Sequence, residues 1–271
     1  MNLHVAELHP DASETVLYLH GGNVAGWMWT EQAAALADHH ALVPDLPGFG
    51  ASAGRPWTDL MAVTDDLADL VRNRAHDGRA HVVGLSLGGV LGTLLAARHP
   101  DLVRSAFVTG AALRGVGRLT RWSGLAQVSF WSSPGYWNGL ARAFRLPADS
   151  VDAFVSTGLG IDRDSARRMM TQVYDGVPAA DLEGLRDLRA PMLAIAGEKE
   201  PQTVRRALDD IVSRVPRAVA RLAPGMHHVW SAEDPELFHD VLAHWLTTAE
   251  PSPALLPVEP APRQEARDAG V

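Results

Sequence analysis

The sequence predicts an α/β protein with a mostly parallel central sheet and helices on both faces. Short apolar runs rich in β-branched residues recur along the chain, and stretches with apolar residues at helical spacing separate them. Strands that alternate with helices form βαβ units, so their sheet is mostly parallel and buried on both faces. The 271 residues, 46% of them apolar, suit one sizeable domain or one domain with an insertion.

The strand and helix predictions follow from these two periodicities. Strands are predicted at residues 15–21, 40–48, 81–86, 103–110, 191–198 and 217–223. Helices are predicted at residues 27–38, 59–75, 87–100 and 234–246. Before the first of these strands only the stretch LHVAEL, residues 3–8, has the character of a strand, so β-structure there is expected to be short or absent.

The alternation stops in residues 111–190, where helical pieces dominate. This interval holds eight of the 17 aromatic residues and ten arginines against eight acidic residues, although the whole chain has a net charge of −8. We predict a helical lid, residues 112–190, inserted after the strand that ends near Gly110. It would lie over one end of a core formed by residues 1–111 and 191–249. Residues 250–271, rich in proline, alanine and charge, are predicted to be a disordered tail.

Composition excludes several classes of function. The acidic net charge argues against nucleic acid as a partner, and no run approaches the roughly 20 apolar residues of a membrane span. The chain has no cysteine, hence neither disulfides nor thiolate chemistry, and its start lacks the pattern of a signal peptide. We therefore expect a soluble cytoplasmic protein with no membrane partner, and assembly as a homodimer stays open.

The strongest motif is GLSLG at residues 84–88, which matches G-x-S-x-G around Ser86. The motif follows a predicted strand and opens a predicted helix, as a nucleophile elbow requires. A side chain at Gly84 or Gly88 is expected to collide with the neighbouring strand or helix. The turn would push the hydroxyl out above the sheet at a helix N-terminus, where the dipole favours an anion.

A nucleophilic serine needs a base and a carboxylate that orients the base. The stretch HHVWSAEDPELF offers His227 and His228, and the loop after the strand at 191–198 offers Glu198 and Glu200. The chain order is then serine, acid, histidine. From the residues alone, both histidines and both glutamates remain candidates.

The reaction also needs donors for an oxyanion. Glycines in LHGGNVAGW, residues 19–27, let backbone N–H groups approach a substrate closely, and the N–H of Leu87 supplies a second donor. The sequence has no H-E-x-x-H or similar spacing and no glycine-rich nucleotide loop between a strand and a helix, so we expect neither a metal nor another cofactor in the reaction.

These landmarks resemble the α/β-hydrolase superfamily, in the order HGG, DLPGFGAS, GLSLGG, GEKE and HHVWSAEDPELF. The resemblance covers nearly the whole chain outside the tail. It implies that Ser86 is the nucleophile and that His228, seven residues before Pro235, is the base. It also implies an oxyanion hole formed by the N–H groups of Gly22 and Leu87, and a lid after Gly110.

The same resemblance implies Glu200 as the acid, although relatives usually carry aspartate at this place. Because glutamate is one methylene longer, either its loop sits further back or Glu198 substitutes. Substrate contacts are expected from residues beside the oxyanion loop, in the lid and near the histidine: Asn23, Trp131, Tyr136, Trp137 and Trp230. The alternative for the lid aromatics is that most of them form the lid's own core.

We expect hydrolysis of a carboxylic ester, lactone or thioester of a small, moderately apolar substrate through an acyl-enzyme. A carbon–carbon bond hydrolase, an acyltransferase and a cofactor-free lyase or cyclase are alternatives on the same triad, because fold does not settle function. A ligand receptor without catalysis is a further alternative. Turnover of simple esters separates enzyme from receptor, and the effect of Ser86→Ala separates a nucleophilic serine from one that only donates a hydrogen bond.

Overall fold

The computed structural model describes residues 3–258, and these form one eight-stranded sheet in the order β1-β3-β2-β4-β5-β6-β7-β8. The strands are β1 Val5–Leu8, β2 Glu14–Leu19, β3 His39–Pro44, β4 Ala80–Leu85, β5 Val103–Thr109, β6 Met192–Gly197, β7 Ala218–Ala223 and β8 Leu256–Pro257. The six strands from β2 to β7 are parallel to their neighbours, and β1 and β8 pair antiparallel at the two ends.

Ten α-helices accompany the strands in the described part of the chain. They are α1 Thr30–Ala35, α2 Leu60–Arg74, α3 Leu87–Arg98, α4 Arg118–Ala126, α5 Pro134–Ala143, α6 Val151–Gly160, α7 Arg163–Asp175, α8 Gln202–Val212, α9 Trp230–Glu233 and α10 Pro235–Thr248. None of the described helices is long and apolar enough to cross a membrane.

The sheet separates two hydrophobic clusters. On one face α2, α3 and α8 bury their apolar side chains in a cluster that continues into the helices between β5 and β6. On the other face α1 and α10 pack against alternate residues of the same strands, among them Tyr18, Val83 and Phe107. This two-sided burial explains why the strands read as nearly continuous apolar runs. The predicted α/β fold class is confirmed.

Helices occupy the interval between β5 and β6, and hydrogen bonds tie them to the core. The Ser165 hydroxyl on α7 accepts the Trp57 N–H at 2.8 Å, and the indole of Trp27 donates to Thr157 on α6 at 2.8 Å. A Cβ atom added to Gly48 would stand 2.6 Å from Cβ of Ser165, so α7 lies directly against the loop after β3. These helices therefore cover the loops at the carboxyl end of the sheet.

The prediction of a disordered tail from Glu250 is wrong for the described part of that segment. Leu256 and Pro257 form β8, which pairs antiparallel with Leu222 and Arg221 of β7. Leu255 is buried in the cluster on the α10 face. Proline is compatible with an edge strand because its missing N–H faces away from the ladder, so the composition is misleading here. Residues 259–271 lie outside the described residues.

Candidate active site

Ser86 lies at the junction of β4 and α3 in a conformation that side chains rarely adopt, with φ 58° and ψ −114°. Its N–H donates to the carbonyl of Thr109 at 2.9 Å, and its own carbonyl accepts the first helical bond from Val90 at 3.0 Å. The backbone on both sides thus holds a strained residue. The side chain is left partly exposed at the N-terminus of α3.

The two glycines of the motif are required by contacts between backbone segments. A Cβ atom on Gly84 would stand 2.2 Å from the carbonyl oxygen of Gly88, and one on Gly88 would stand 2.0 Å from that of Leu19. No side-chain rearrangement relieves such contacts, because both obstacles are backbone atoms. The expected collisions with the neighbouring strand and helix are confirmed.

His228 and Glu200 form a close pair. Nδ1–H of His228 donates to Oε1 of Glu200 at 2.5 Å, and Oε2 of Glu200 accepts the Gly197 N–H at 2.8 Å. Only 1% of the Glu200 side chain is exposed, against 34% of the His228 side chain. A buried carboxylate with two N–H donors holds the ring in the tautomer that leaves Nε2 free to accept a proton.

The competing residues have other partners. His227 donates through both its backbone N–H and Nδ1 to Glu233, at 2.9 Å in each case. Glu198 is exposed, and its carboxylate accepts the Gly225 N–H at 2.7 Å. The structure thus brings together His228 and Glu200, and it directs His227 and Glu198 elsewhere.

The end of β5 connects His228 with Ser86. Thr109 accepts the N–H of Ser86, and the next residue, Gly110, has φ +64° and touches the histidine. A Cβ atom on Gly110 would be 3.0 Å from Cε1 of His228 and 3.6 Å from Oε1 of Glu200. Ser86 therefore contacts Thr109 and His228 lies against the next residue, although the Ser86 and His228 side chains share no hydrogen bond in this structure. Bonds of this kind often tighten only once substrate is bound.

The loop after β2 carries Gly21 and Gly22 and is called the oxyanion loop here; it lies alongside the elbow. A Cβ atom on Gly21 would be 3.6 Å from Cβ of Ser86, and one on Gly22 would be 4.0 Å from Cβ of Leu87. Within residues 3–258 the N–H groups of Gly22 and Leu87 donate no hydrogen bond to the protein. Met169 of α7 covers Gly22, with Cε 3.1 Å from the same added atom.

His20 fixes the start of this loop. Its Nδ1–H donates to the Gly21 carbonyl at 2.7 Å, and its Nε2 accepts the Leu46 N–H at 2.9 Å. The ring is fully buried, and burial lowers the pKa of His20 to about 4. The imidazole is therefore neutral at neutral pH, as its one donated and one accepted bond require.

The prediction that Trp230 contacts the substrate is wrong. Its ring is fully buried in the cluster on the α10 face, 4.6 Å from the ring of Phe238 between centroids. The indole N–H donates to the hydroxyl of Thr109 at 2.8 Å. Its proximity to His228 in sequence suggested a pocket residue, but α9 begins at Trp230 and turns the side chain into the core.

The aromatic residues of the helices between β5 and β6 follow the alternative interpretation, in which they form a core of their own. Trp131 and Trp137 are buried and pack on each other at 5.1 Å, and the Trp137 indole donates to the Trp131 carbonyl at 2.7 Å. Trp137 also packs on Phe154, so the prediction of substrate contact is wrong for these two tryptophans. Asn23 and Tyr136 are only partly buried, and substrate contact stays a prediction for both.

Sequence reasoning did not assign roles to Thr109, Gly110 or Met169, all of which touch the site. Gly110 carries one signal that could have identified it, because a glycine directly after a strand marks a backbone position with positive φ. Met169 has no such signal in the sequence, since a methionine in a helix is usually an ordinary core residue.

The sequence profile of the alpha/beta hydrolase family matches residues 16–241. This match spans most of the chain, and the chain belongs to that family of hydrolases. The three landmarks of the site, the residues at Gly22, Ser86 and His228, lie inside the matched region.

Individual relatives agree with this assignment. A protein of the AB hydrolase superfamily from Gibberella zeae is 28% identical over 255 residues, covering 89% of this chain and 83% of its own length. A pimeloyl acyl-carrier-protein methyl ester esterase from Chromobacterium violaceum is 43% identical over 109 residues, 39% of each chain. The structure of a thermophilic esterase from Thermogutta terrifontis superposes with a TM-score of 0.73 at 21% identity, covering 90% of this chain and 93% of that one.

Replacing Gly88 with alanine should lower the free energy of unfolding by about 3 kcal/mol, because the new methyl group meets the Leu19 carbonyl. Urea unfolding followed by circular dichroism measures the change. Gly139→Ala is the matched control: Gly139 lies exposed within α5 with nothing within 4 Å of an added Cβ atom. In that variant the free energy of unfolding should rise by up to about 1 kcal/mol, because alanine has a higher helix propensity than glycine. Equal effects at the two glycines would contradict the role of the backbone contact.

His20 should make stability depend on pH in a defined range. Its folded pKa of about 4 lies below the ordinary value of 6.5, so the unfolded chain binds the proton more readily as pH falls. This residue alone should lower the free energy of unfolding by about 2 kcal/mol between pH 8 and pH 5, and by only about 0.1 kcal/mol between pH 8 and pH 7. His20→Gln keeps one hydrogen-bond donor and one acceptor. Between pH 7 and pH 5 we expect this variant to lose less stability than the parent chain. Parallel pH curves for the two proteins would exclude the buried neutral histidine.

Proposed function

We propose that this chain is a serine hydrolase that cleaves a carboxylic ester of a small, moderately apolar substrate through an acyl-enzyme. The observation that carries the proposal is the buried Glu200–His228 pair beside the strained Ser86. A base held by a carboxylate, next to a serine exposed at a helix N-terminus, is the arrangement that activates a hydroxyl.

In the first half of the reaction Ser86 attacks the ester carbonyl while Nε2 of His228 takes the proton of the hydroxyl. Glu200 keeps the ring in the required tautomer and stabilises the imidazolium that forms. His228 then donates the proton to the leaving alcohol, and the acyl group remains on Ser86. In the second half His228 activates a water molecule that releases the acid and restores the serine.

The oxyanion of each tetrahedral intermediate would be held by the N–H groups of Gly22 and Leu87. Support comes from their position on either side of Ser86 and from their lack of protein acceptors. Each such donor contributes about 3 kcal/mol to the transition state in measured cases. His20 acts indirectly, because it bonds the Gly21 carbonyl and so fixes the orientation of the peptide that carries the Gly22 N–H.

Two observations favour an ester with a small apolar group on one side of the ester bond. Met169 brings an apolar side chain of the lid into contact with the oxyanion loop, so a large or charged group next to the carbonyl would meet it. Two of the similar proteins are called esterases, and one of them is named for a methyl ester. Methyl and other short esters are therefore the first substrates to try.

Turnover of p-nitrophenyl esters of increasing acyl length tests the nucleophile. The parent chain should show an optimum at a short acyl length, and Ser86→Ala should lower kcat/KM at least about 10⁴-fold. Ser123→Ala, a change at an exposed serine of α4, should leave kcat/KM unchanged. Activity retained in Ser86→Ala would favour a reaction in which His228 acts alone as base, and a folded parent chain without turnover would favour the carbon–carbon hydrolase or the receptor.

Paired substitutions of the two glutamates test the acid. Glu200→Gln should lower kcat about a thousandfold or more while KM changes little, because the amide neither enforces the correct tautomer of His228 nor stabilises its cation. Glu198→Gln is the matched control, two residues away on the same loop, and should retain activity within a factor of about two. The reverse ranking would assign the role of the acid to Glu198.

A further inference from the structure

Three side chains that can bind a metal ion lie close together at the amino ends of the strands, at the opposite end of the sheet from Ser86. They are Glu14 at the start of β2, His39 at the start of β3 and His81 in β4. Glu14 is paired with His39 in the ladder, and His81 is paired with Val16. Side chains alternate between faces along a strand, so all three point to the face covered by α10. One nitrogen or oxygen atom from each lies within 4.8 Å of the others.

The set of donor atoms suits a zinc ion. Two imidazoles and one carboxylate are common protein ligands of zinc, with bond lengths of about 2.0–2.2 Å. Ligand atoms at the corners of a tetrahedron with such bonds are about 3.3 Å apart. The measured separation between Nε2 of His81 and Oε2 of Glu14 is 3.4 Å. This separation is long for a hydrogen bond and close to the edge of a zinc tetrahedron.

The surroundings prepare the histidines for a metal. Oγ of Ser105 lies 2.8 Å from Nδ1 of His81, and by accepting the Nδ1–H it leaves the lone pair of Nε2 directed at Glu14. Nδ1 of His39 is buried and has no hydrogen-bond partner among residues 3–258, so no other contact within this part of the chain occupies that nitrogen.

Neighbouring charges are compatible with a cation. Arg104 holds the other carboxylate oxygen of Glu14 at 3.3 Å and is itself paired with Asp77 at 3.1 Å. The adjacent histidine, His40, points to the opposite face. Both of its nitrogens are satisfied, by Oγ1 of Thr15 at 3.0 Å and by Glu7 at 2.9 Å, so His40 is a structural residue and not a ligand.

We propose that Glu14, His39 and His81 form a binding site for one zinc ion that links three neighbouring strands. Glu14 is partly exposed, which leaves room for a water molecule as fourth ligand. The site is separated from the reaction centre by the length of the strands. The ion therefore stabilises the sheet and takes no part in ester cleavage.

Isothermal titration of the metal-free full chain with zinc chloride tests the site. The parent chain should bind one equivalent of zinc, and the ion should raise the midpoint of thermal unfolding. Glu14→Gln, His39→Asn and His81→Asn should each weaken binding at least tenfold. His99→Gln is the matched control, because His99 also contacts a carboxylate, Asp65 at 2.8 Å, but lies outside the cluster.

Cobalt chloride supplies a second readout that does not depend on stability. Co²⁺ in a site with histidine and carboxylate ligands gives visible absorption, which should appear in the parent chain and in His99→Gln and be lost in Glu14→Gln. Glu14→Gln keeps the shape of the side chain, so this variant still tests metal binding if a histidine variant fails to fold. No stoichiometric binding by the parent chain, or equal binding by all variants, would overturn the proposal. Ester turnover should be the same with and without EDTA, which keeps this test independent of the catalytic one.

Discussion

The structure depends on the close backbone approach where β4 turns into α3. Gly84 and Gly88 touch each other across the turn, and Gly88 also touches the end of β2 at Leu19. Three backbone segments can meet at this distance only without side chains between them. The packing forces Ser86 into a positive φ, raises its side chain above the sheet and brings the oxyanion loop after β2 to its side. Ser86 and the backbone N–H groups that we propose as oxyanion donors are thus positioned by one constraint.

The sequence predicts those parts of the fold that local periodicity specifies. The parallel strands were identified as apolar runs, which in β4 and β6 are buried on both faces, and the elbow was identified because its glycines are spaced around a serine. Local pattern failed where tertiary contacts decide the outcome. The pairing of β8 with β7 joins a proline-rich segment to a strand about 35 residues earlier, and nothing within residues 250–258 indicates that partner.

The choice between Glu198 and Glu200 shows the same limit inside the site. The two residues have the same chemistry and lie on the same loop, so composition and spacing cannot rank them. The turn after β6 distinguishes the two residues. The Glu200 N–H donates to the Gly197 carbonyl at 3.0 Å, and the Glu200 carboxylate folds back to accept the Gly197 N–H. This folding back takes up the extra methylene of glutamate relative to aspartate. Glu198 leaves the same turn on the solvent side.

The end of β5 explains how residues far apart in the chain act at one place. The carbonyl of Thr109 accepts the N–H of Ser86, and its hydroxyl accepts the indole N–H of Trp230. The next residue, Gly110, lies against the ring of His228. Trp230 therefore does not need to touch a substrate to influence the site, because its bond fixes the loop that carries His228 to the strand that holds Ser86. Trp230 thus helps to hold His228, which we propose as the base, and its position in the sequence could not reveal this role.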